Sequence, residues 1–158
     1  MPRRREPQTT LQLAFVALHS DVCEHLEIWS LDRNYRVFAT KFLAMLEAFR
    51  VGREDTKILH DGLFRTRLKS NAGPKVDEYG GRQKGGAPRV FCFRWQASYI
   101  FLAAGVEKQE DGCRTMVTAR QRAVQVDLLL KAVSSESLFY GALNKWCSEI
   151  YPISITAK

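Results

Sequence analysis

Leu63-Phe64-Arg65-Thr66-Arg67-Leu68-Lys69 decides how this chain is read. Strict alternation predicts a strand with Arg65, Arg67 and Lys69 on one face and Phe64, Thr66 and Leu68 on the other. A row made only of cations repels itself unless an anion or solvent answers it. Downstream, Arg89 to Trp95 and Tyr99 to Gly105 are rich in aromatic and branched residues and are separated by Gln96-Ala97-Ser98. That spacing predicts an antiparallel hairpin, and with the first segment a meander of three strands. Ser70 to Pro88 holds Gly73, Pro74, Gly80, Gly81, Gly85, Gly86 and Pro88, so a basic glycine-rich loop is expected over 70–88 and no helix.

Between residues 62 and 108 there are nine cations (Arg65, Arg67, Lys69, Lys75, Arg82, Lys84, Arg89, Arg94, Lys108) and three acids (Asp77, Glu78, Glu107), while the whole chain carries a formal charge of +7. The positive field therefore belongs to the sheet and its loop, and a polyanion is the natural partner. The chain has 158 residues, 46% of them apolar, enough for one core and short for two. Residues 1–9, with Arg3-Arg4-Arg5 and two prolines, are expected to be a disordered basic tail, and residues 10–158 a single domain. No run approaches the roughly 18 apolar residues that cross a bilayer, and no secretory apolar segment follows the first arginines, so a cytoplasmic protein without a membrane partner is expected.

Cys23, Cys92, Cys113 and Cys147 are scattered without a Cys-x-x-Cys pair and are expected to be reduced. His19, His25 and His60 lie far from any cysteine cluster, so no metal site has recognisable ligand spacing. Phosphate-binding glycine motifs are absent from the 70–88 loop, and no nucleotide cofactor is indicated.

Leu11, Phe15, Leu18, Val22, Leu26 and Trp29 form a stripe that predicts a first amphipathic helix, capped by Thr9 or Thr10. His19 and His25 lie beside that stripe and are expected to be structural or exposed. Tyr35, Phe38, Phe42, Met45, Leu46 and Phe49 predict a second helix, ended by Gly52. Two helices with so short a link should pair as a hairpin on the sheet. Val117, Val124, Leu128 and Ala132 predict a third helix with Arg114, Arg120 and Arg122 at its front, against the usual preference for acids there. Leu138, Phe139, Leu143 and Trp146 predict a last helix, and Tyr151 to Thr156 an edge strand. The fold class expected is α+β: an N-terminal helical hairpin packed on a small antiparallel sheet, with a C-terminal helical extension over 133–158.

Arg65, Arg67 and Lys69 stand about 6.5 to 7 Å apart along the strand, close to the separation of successive phosphates in a single strand. Cleaving RNA without a metal requires a base for the 2′-hydroxyl, a clamp for the pentavalent phosphate and a proton for the 5′-oxygen. Arginine suits the clamp and cannot act as the base. The residues open to proton handling are Lys69, Lys84, Lys108, Tyr79, Tyr99, Glu78, Glu107 and His60; neighbouring cations lower a lysine's pKa, which favours Lys69 or Lys108. On the residues alone, a basic strand is more often a surface that binds than one that cleaves.

Gly62-Leu63-Phe64-Arg65-Thr66-Arg67-Leu68, the strand opening Pro88-Arg89-Val90-Phe91, and Ala104-Gly105-Val106-Glu107-Lys108 followed by a basic helix resemble, in that order, the RelE/HigB superfamily of bacterial toxins, including its phage-derived branch. The resemblance covers about residues 30–132. It implies a small metal-independent RNA endonuclease of a toxin–antitoxin system, acting on RNA (including ribosome-bound messenger RNA) and neutralised by a cognate antitoxin. The catalytic set it implies is Arg65, Arg67, Lys69, Arg89 and Lys108; Arg82, Lys84, Arg94, Arg114 and Arg120 complete an RNA-binding surface. Where active relatives carry a tyrosine or histidine cluster, this chain has Thr115-Met116-Val117-Thr118. The alternative is a non-catalytic module on the same fold that binds nucleic acid or protein.

Overall fold

Phe15-Val16-Ala17-Leu18 is a continuous apolar run, and all four residues are buried. Such a run belongs to a strand covered on both faces. In the computed structural model, which describes residues 14–53, 63–67, 74–81, 86–95, 97–107, 114–132 and 136–153, it is β1 (Phe15–His19). The long first helix read from the stripe beginning at Leu11 is therefore corrected. The spacing of Phe15, Leu18 and Val22 suits a helix only by coincidence, and the helix proper is α1 (Ser20–Ser30), which buries Val22, Leu26 and Trp29. His19 caps it: its Nδ1 accepts from the Asp21 N–H at 3.0 Å.

Asp32 closes the turn after α1, its carboxylate accepting from the Asn34 N–H at 2.7 Å. Next comes α2 (Arg36–Arg50), burying Phe38, Ala39, Phe42, Met45, Leu46 and Phe49. Gly52, at φ 81°, supplies the left-handed residue that ends it. The strands β2 (Phe64–Arg67), β3 (Val76–Gly80), β4 (Ala87–Trp95) and β5 (Ser98–Glu107) follow. Then come α3 (Arg114–Ala132), α4 (Glu136–Leu143) and β6 (Cys147–Pro152).

The sheet is six-stranded and mixed, ordered β2-β3-β4-β5-β1-β6; β1 runs parallel to β5 and every other neighbouring pair is antiparallel. Three expectations are corrected. The small antiparallel meander is a larger mixed sheet, because β1 enters beside β5. Within the supposed 70–88 loop, Val76-Asp77-Glu78-Tyr79 alternates as a strand, separating β2 from β4. In the C-terminal extension the edge strand expected at Tyr151–Thr156 is found, but it begins earlier, as Cys147–Pro152 paired with β1 at the sheet's edge.

Helices cover both faces. Val16, Leu18, Tyr79, Val90, Cys92, Tyr99 and Phe101 meet α1 and α2. Phe15, Ala17, Val76, Phe91, Phe93, Ile100 and Leu102 meet α3. Here too a sequence reading is corrected: α3 buries Ala119, Ala123, Val126 and Leu130, while Val117, Val124 and Leu128 are 51%, 45% and 61% exposed. The helix has two apolar stripes, and the one with the small alanines can approach the sheet closely. Thr115 Oγ1 stands 2.5 Å from where a Cβ on Gly105 would project, so that glycine admits the start of α3. Among the described residues no helix is long and apolar enough to cross a membrane.

Candidate functional site

The predicted cations do not lie on one face. Arg65 and Arg67 sit opposite Tyr79 and Asp77, and Tyr79 belongs to the core beneath α1 and α2. Arg94 shares that face, its guanidinium carbon 4.1 Å from the Tyr99 ring centroid; Tyr99 in turn stacks on Phe49 at 3.9 Å. Arg89 points to the opposite face. Its Nε donates to Glu78 Oε2 at 2.8 Å, and its side chain lies across Gly80, where a Cβ would collide with it. The resemblance groups Arg89 with Arg65 in one catalytic set; the inserted β3 separates them and supplies a carboxylate for each face. Asp77, 2% exposed, is the one on the arginine-row side.

A different geometry collects several of these residues. The register sets Phe64, Gly80, Arg89 and Gly105 in one row across four strands, at the end of the sheet where β5 finishes and the parallel β1 points. Arg65 is one residue from that row, and Thr115, in the first turn of α3, covers Gly105. Arg94 lies at the far end, opposite Tyr99. Arg120 turns along α3 to Met116, its guanidinium 3.9 Å from the sulfur. Lys69, Arg82, Lys84, Lys108 and His60 fall outside the described residues.

Several proton-handling expectations find other roles. Burial pushes the Tyr79 phenol far up, and the neighbouring Arg65 opposes this only in part, so Tyr79 offers no phenolate near neutral pH. Glu78 is the ion-pair partner of Arg89. Glu107 accepts from Thr115 Oγ1 at 2.9 Å. Among the described residues no group of three or more His, Cys, Asp or Glu is placed to hold a metal ion.

At this same end the two parallel strands part. β1 feeds α1 on one face and β5 feeds α3 on the other, the topological arrangement at which open sheets form ligand crevices. β1 stops alongside the middle of β5: its last parallel partners are Leu18 and Phe101. Beyond it lies a cleft of about 130 Å³ lined by Asp21, Ala103, Ala104, Arg114, Thr115 and Thr118. That is room enough for a group of phosphate size.

Asp21 organises this place. Its carboxylate receives Arg122 NH1 at 3.2 Å, and the same nitrogen donates to the Leu102 carbonyl at 2.6 Å. That carbonyl is presented by a bulge: Phe91 pairs with Ala103 and Cys92 with Phe101, so Leu102 is the extra residue, and both Leu102 and Ala103 face the α3 core. His25 Nδ1 lies 2.9 Å from the Asp21 carbonyl and 3.2 Å from its Oδ1, with the ring against Trp29 at 5.5 Å. The histidines expected to be structural or merely exposed are thus both tied to one aspartate. A signal was present: Asp21 precedes His25 by one helical turn and follows His19 by two residues, the spacing of a side-chain pair and of a cap.

Desolvation lowers the His19 pKa from 6.5, Arg122 lowers it further, and Asp21 opposes them. The unfolded chain therefore binds the proton more readily than the folded one. Stability from neutral His19 is fully present above its ordinary pKa of 6.5 and is lost as the pH falls through the lower folded value. Thermal melts from pH 7.5 to 5 should show a falling Tm. His19→Asn, which keeps an N-cap acceptor and does not titrate, should make that fall shallower; an unchanged slope would contradict the assignment.

No protein-family model matches this chain, and no curated protein or solved structure does.

Proposed function

We propose that the protein binds single-stranded RNA across the end of its sheet and cleaves it without a metal, as a toxin-like endoribonuclease of the kind the RelE/HigB resemblance implies, with a cognate antitoxin as its protein partner. The observation carrying this reading is that Arg65, Arg89 and Arg114 come from three separate elements to one end of the sheet, beside the cleft at the strand divergence. From β2 to β1 is four strand spacings, about 19 Å, a width that takes a few nucleotides. A strand lying across the sheet's end can touch side chains from both faces, which a strand lying along one face cannot. Among the described residues, Arg65 and Arg114 are exposed cations at that end and serve as phosphate contacts. Arg89, already shared with Glu78, holds a phosphate only by dividing its fork.

The second reading, binding without cleavage, is favoured by that same Arg89–Glu78 pair, which occupies the arginine assigned to clamp the scissile phosphate. Fluorescence anisotropy with a labelled single-stranded RNA, taken across a salt series, tests the shared part. Arg65→Ala and Arg114→Ala should each remove about 0.7 from the slope of log K against log salt. Salt-independent binding, or none, overturns the proposal. Binding of RNA that stays intact establishes the non-catalytic reading instead.

A further inference from the structure

Three features of Asp21 converge on two imidazoles. Its backbone N–H donates to His19 Nδ1 at 3.0 Å. A nitrogen that accepts carries no proton, so neutral His19 has its N–H at Nε2. The Asp21 carbonyl, which can only accept, stands 2.9 Å from His25 Nδ1, and the carboxylate lies on the same nitrogen at 3.2 Å. His25 Nδ1 therefore carries the proton, and its Nε2 presents a lone pair. Among the described residues neither Nε2 has a hydrogen-bond partner. Both rings are partly accessible, with the His25 side chain 32% exposed.

We infer that His19 and His25, held in opposite tautomers by Asp21, itself a lining residue of the cleft of Arg114, Thr115 and Thr118, form the donor–acceptor pair that engages a ribose 3′-phosphodiester, with His25 as general base. This rests on the RNA reading and deepens it by naming residues that the RelE/HigB resemblance does not supply. Asp21 acts as a positioning residue: its carbonyl and carboxylate hold the His25 Nδ1–H, which fixes the ring's orientation and leaves the lone pair at Nε2. The lowered pKa of His19 keeps that ring neutral, a hydrogen-bond donor to phosphoryl oxygen.

The step balances without a metal. His25 Nε2 takes the 2′-hydroxyl proton while the 2′-oxygen forms its bond to phosphorus. The P–O5′ bond breaks with its electron pair on O5′, which takes a proton from solvent water. The His25 imidazolium returns its proton to the hydroxide left behind. The products are a 2′,3′-cyclic phosphate and a 5′-hydroxyl, and nothing is oxidised or reduced. Arg114 and the Thr118 hydroxyl answer the phosphate charge, the Thr115 hydroxyl being already given to Glu107.

The full-length chain labelled with ¹⁵N at histidine, observed by NMR at pH 7.5, should show His19 as the Nε2–H and His25 as the Nδ1–H tautomer. Both Nε2 signals should shift on titration with uridine 3′-monophosphate. Cleavage of a fluorescent RNA should lose at least about 100-fold in kcat in His25→Gln, the usual contribution of a general base, with RNA affinity retained. Asp21→Asn should lower kcat and let His25 populate the Nε2–H tautomer as well, read from its ¹⁵N signals, because the carboxylate on Nδ1 is gone; a purely structural role would leave the tautomer in place. Wild-type cleavage by His25→Gln overturns the inference while leaving the RNA reading intact. If the unmutated chain binds RNA without cutting it, the chemistry is overturned, and the nucleotide titration decides the rest: shifts at both rings retain the site as a phosphate-ester site, and silent rings remove it.

Discussion

Phe42→Ala should cost about 3–5 kcal/mol of folding stability, the range for removing a large buried aromatic. Phe42 is fully buried and stands where three aromatic rings meet. It stacks on Phe38 at 5.9 Å and meets Tyr79 and Phe101 edge-on at 6.2 and 5.3 Å. Tyr79 is on β3, Phe101 on β5 and Phe38 on α2 itself, so one side chain joins the helix to two strands separated by β4. Alanine leaves a cavity that these rings cannot close without giving up their own contacts, and such pairs contribute about 0.5–1.5 kcal/mol beyond buried area. Urea unfolding is the measurement. Val37→Ala, one turn away and 62% exposed, should stay within about 0.5 kcal/mol. A loss below about 1 kcal/mol for Phe42→Ala would mean that α2 does not present this face to the sheet.

Ala123→Asp should destabilise the protein by several kcal/mol, a large part of the roughly 5–15 kcal/mol that holds a domain together. Ala123 is fully buried between α3 and the sheet, among Ala119, Val126, Leu102 and Ala103 of the same core. A carboxylate placed there loses its hydration and gains apolar neighbours, so it either takes up a proton or forces the helix away. Leu128→Asp, on the outer stripe and 61% exposed, should change stability by no more than about 0.5 kcal/mol. Circular dichroism melts of the pair decide which stripe of α3 is inside. The opposite ranking would show that Val117, Val124 and Leu128 face the core.

Periodicity served well where one face is buried and one solvated. The α2 pattern of Phe38, Phe42, Met45, Leu46 and Phe49 is the buried face observed, and the Arg89–Trp95 and Tyr99–Gly105 segments lie within the β4–β5 hairpin. It misled in α3, where two apolar stripes compete and larger side chains outweigh alanine in any hydrophobic count. The chosen face is the one whose small side chains let the helix sit against Leu102, Ala103 and Gly105. It also misled at Phe15–Leu18, because a strand buried on both faces has no polar phase to mark it.

The placement of charge needed pairing as well as alternation. Alternation along β2 is a property of Arg65 and Arg67 alone, but the carboxylate opposite each cation depends on which strand lies beside it. That strand, Val76–Gly80, was hidden among glycines and prolines. The site at Asp21 was nearer to hand, since its spacing to His19 and His25 is local; Arg122, about a hundred residues further on, was not.

By itself the sequence determined a basic chain of one domain's size, its second helix, a central hairpin and the concentration of cations between residues 62 and 108. These follow from composition and from patterns within a few turns or one strand. Only the tertiary structure decided that β1 runs parallel beside β5, that Arg89 and Arg65 face opposite ways, and that Asp21, His25 and Arg122 converge where the two strands diverge. Those outcomes depend on pairings between residues far apart in the chain, whose free energy comes from burying both partners together, and no single segment carries that information.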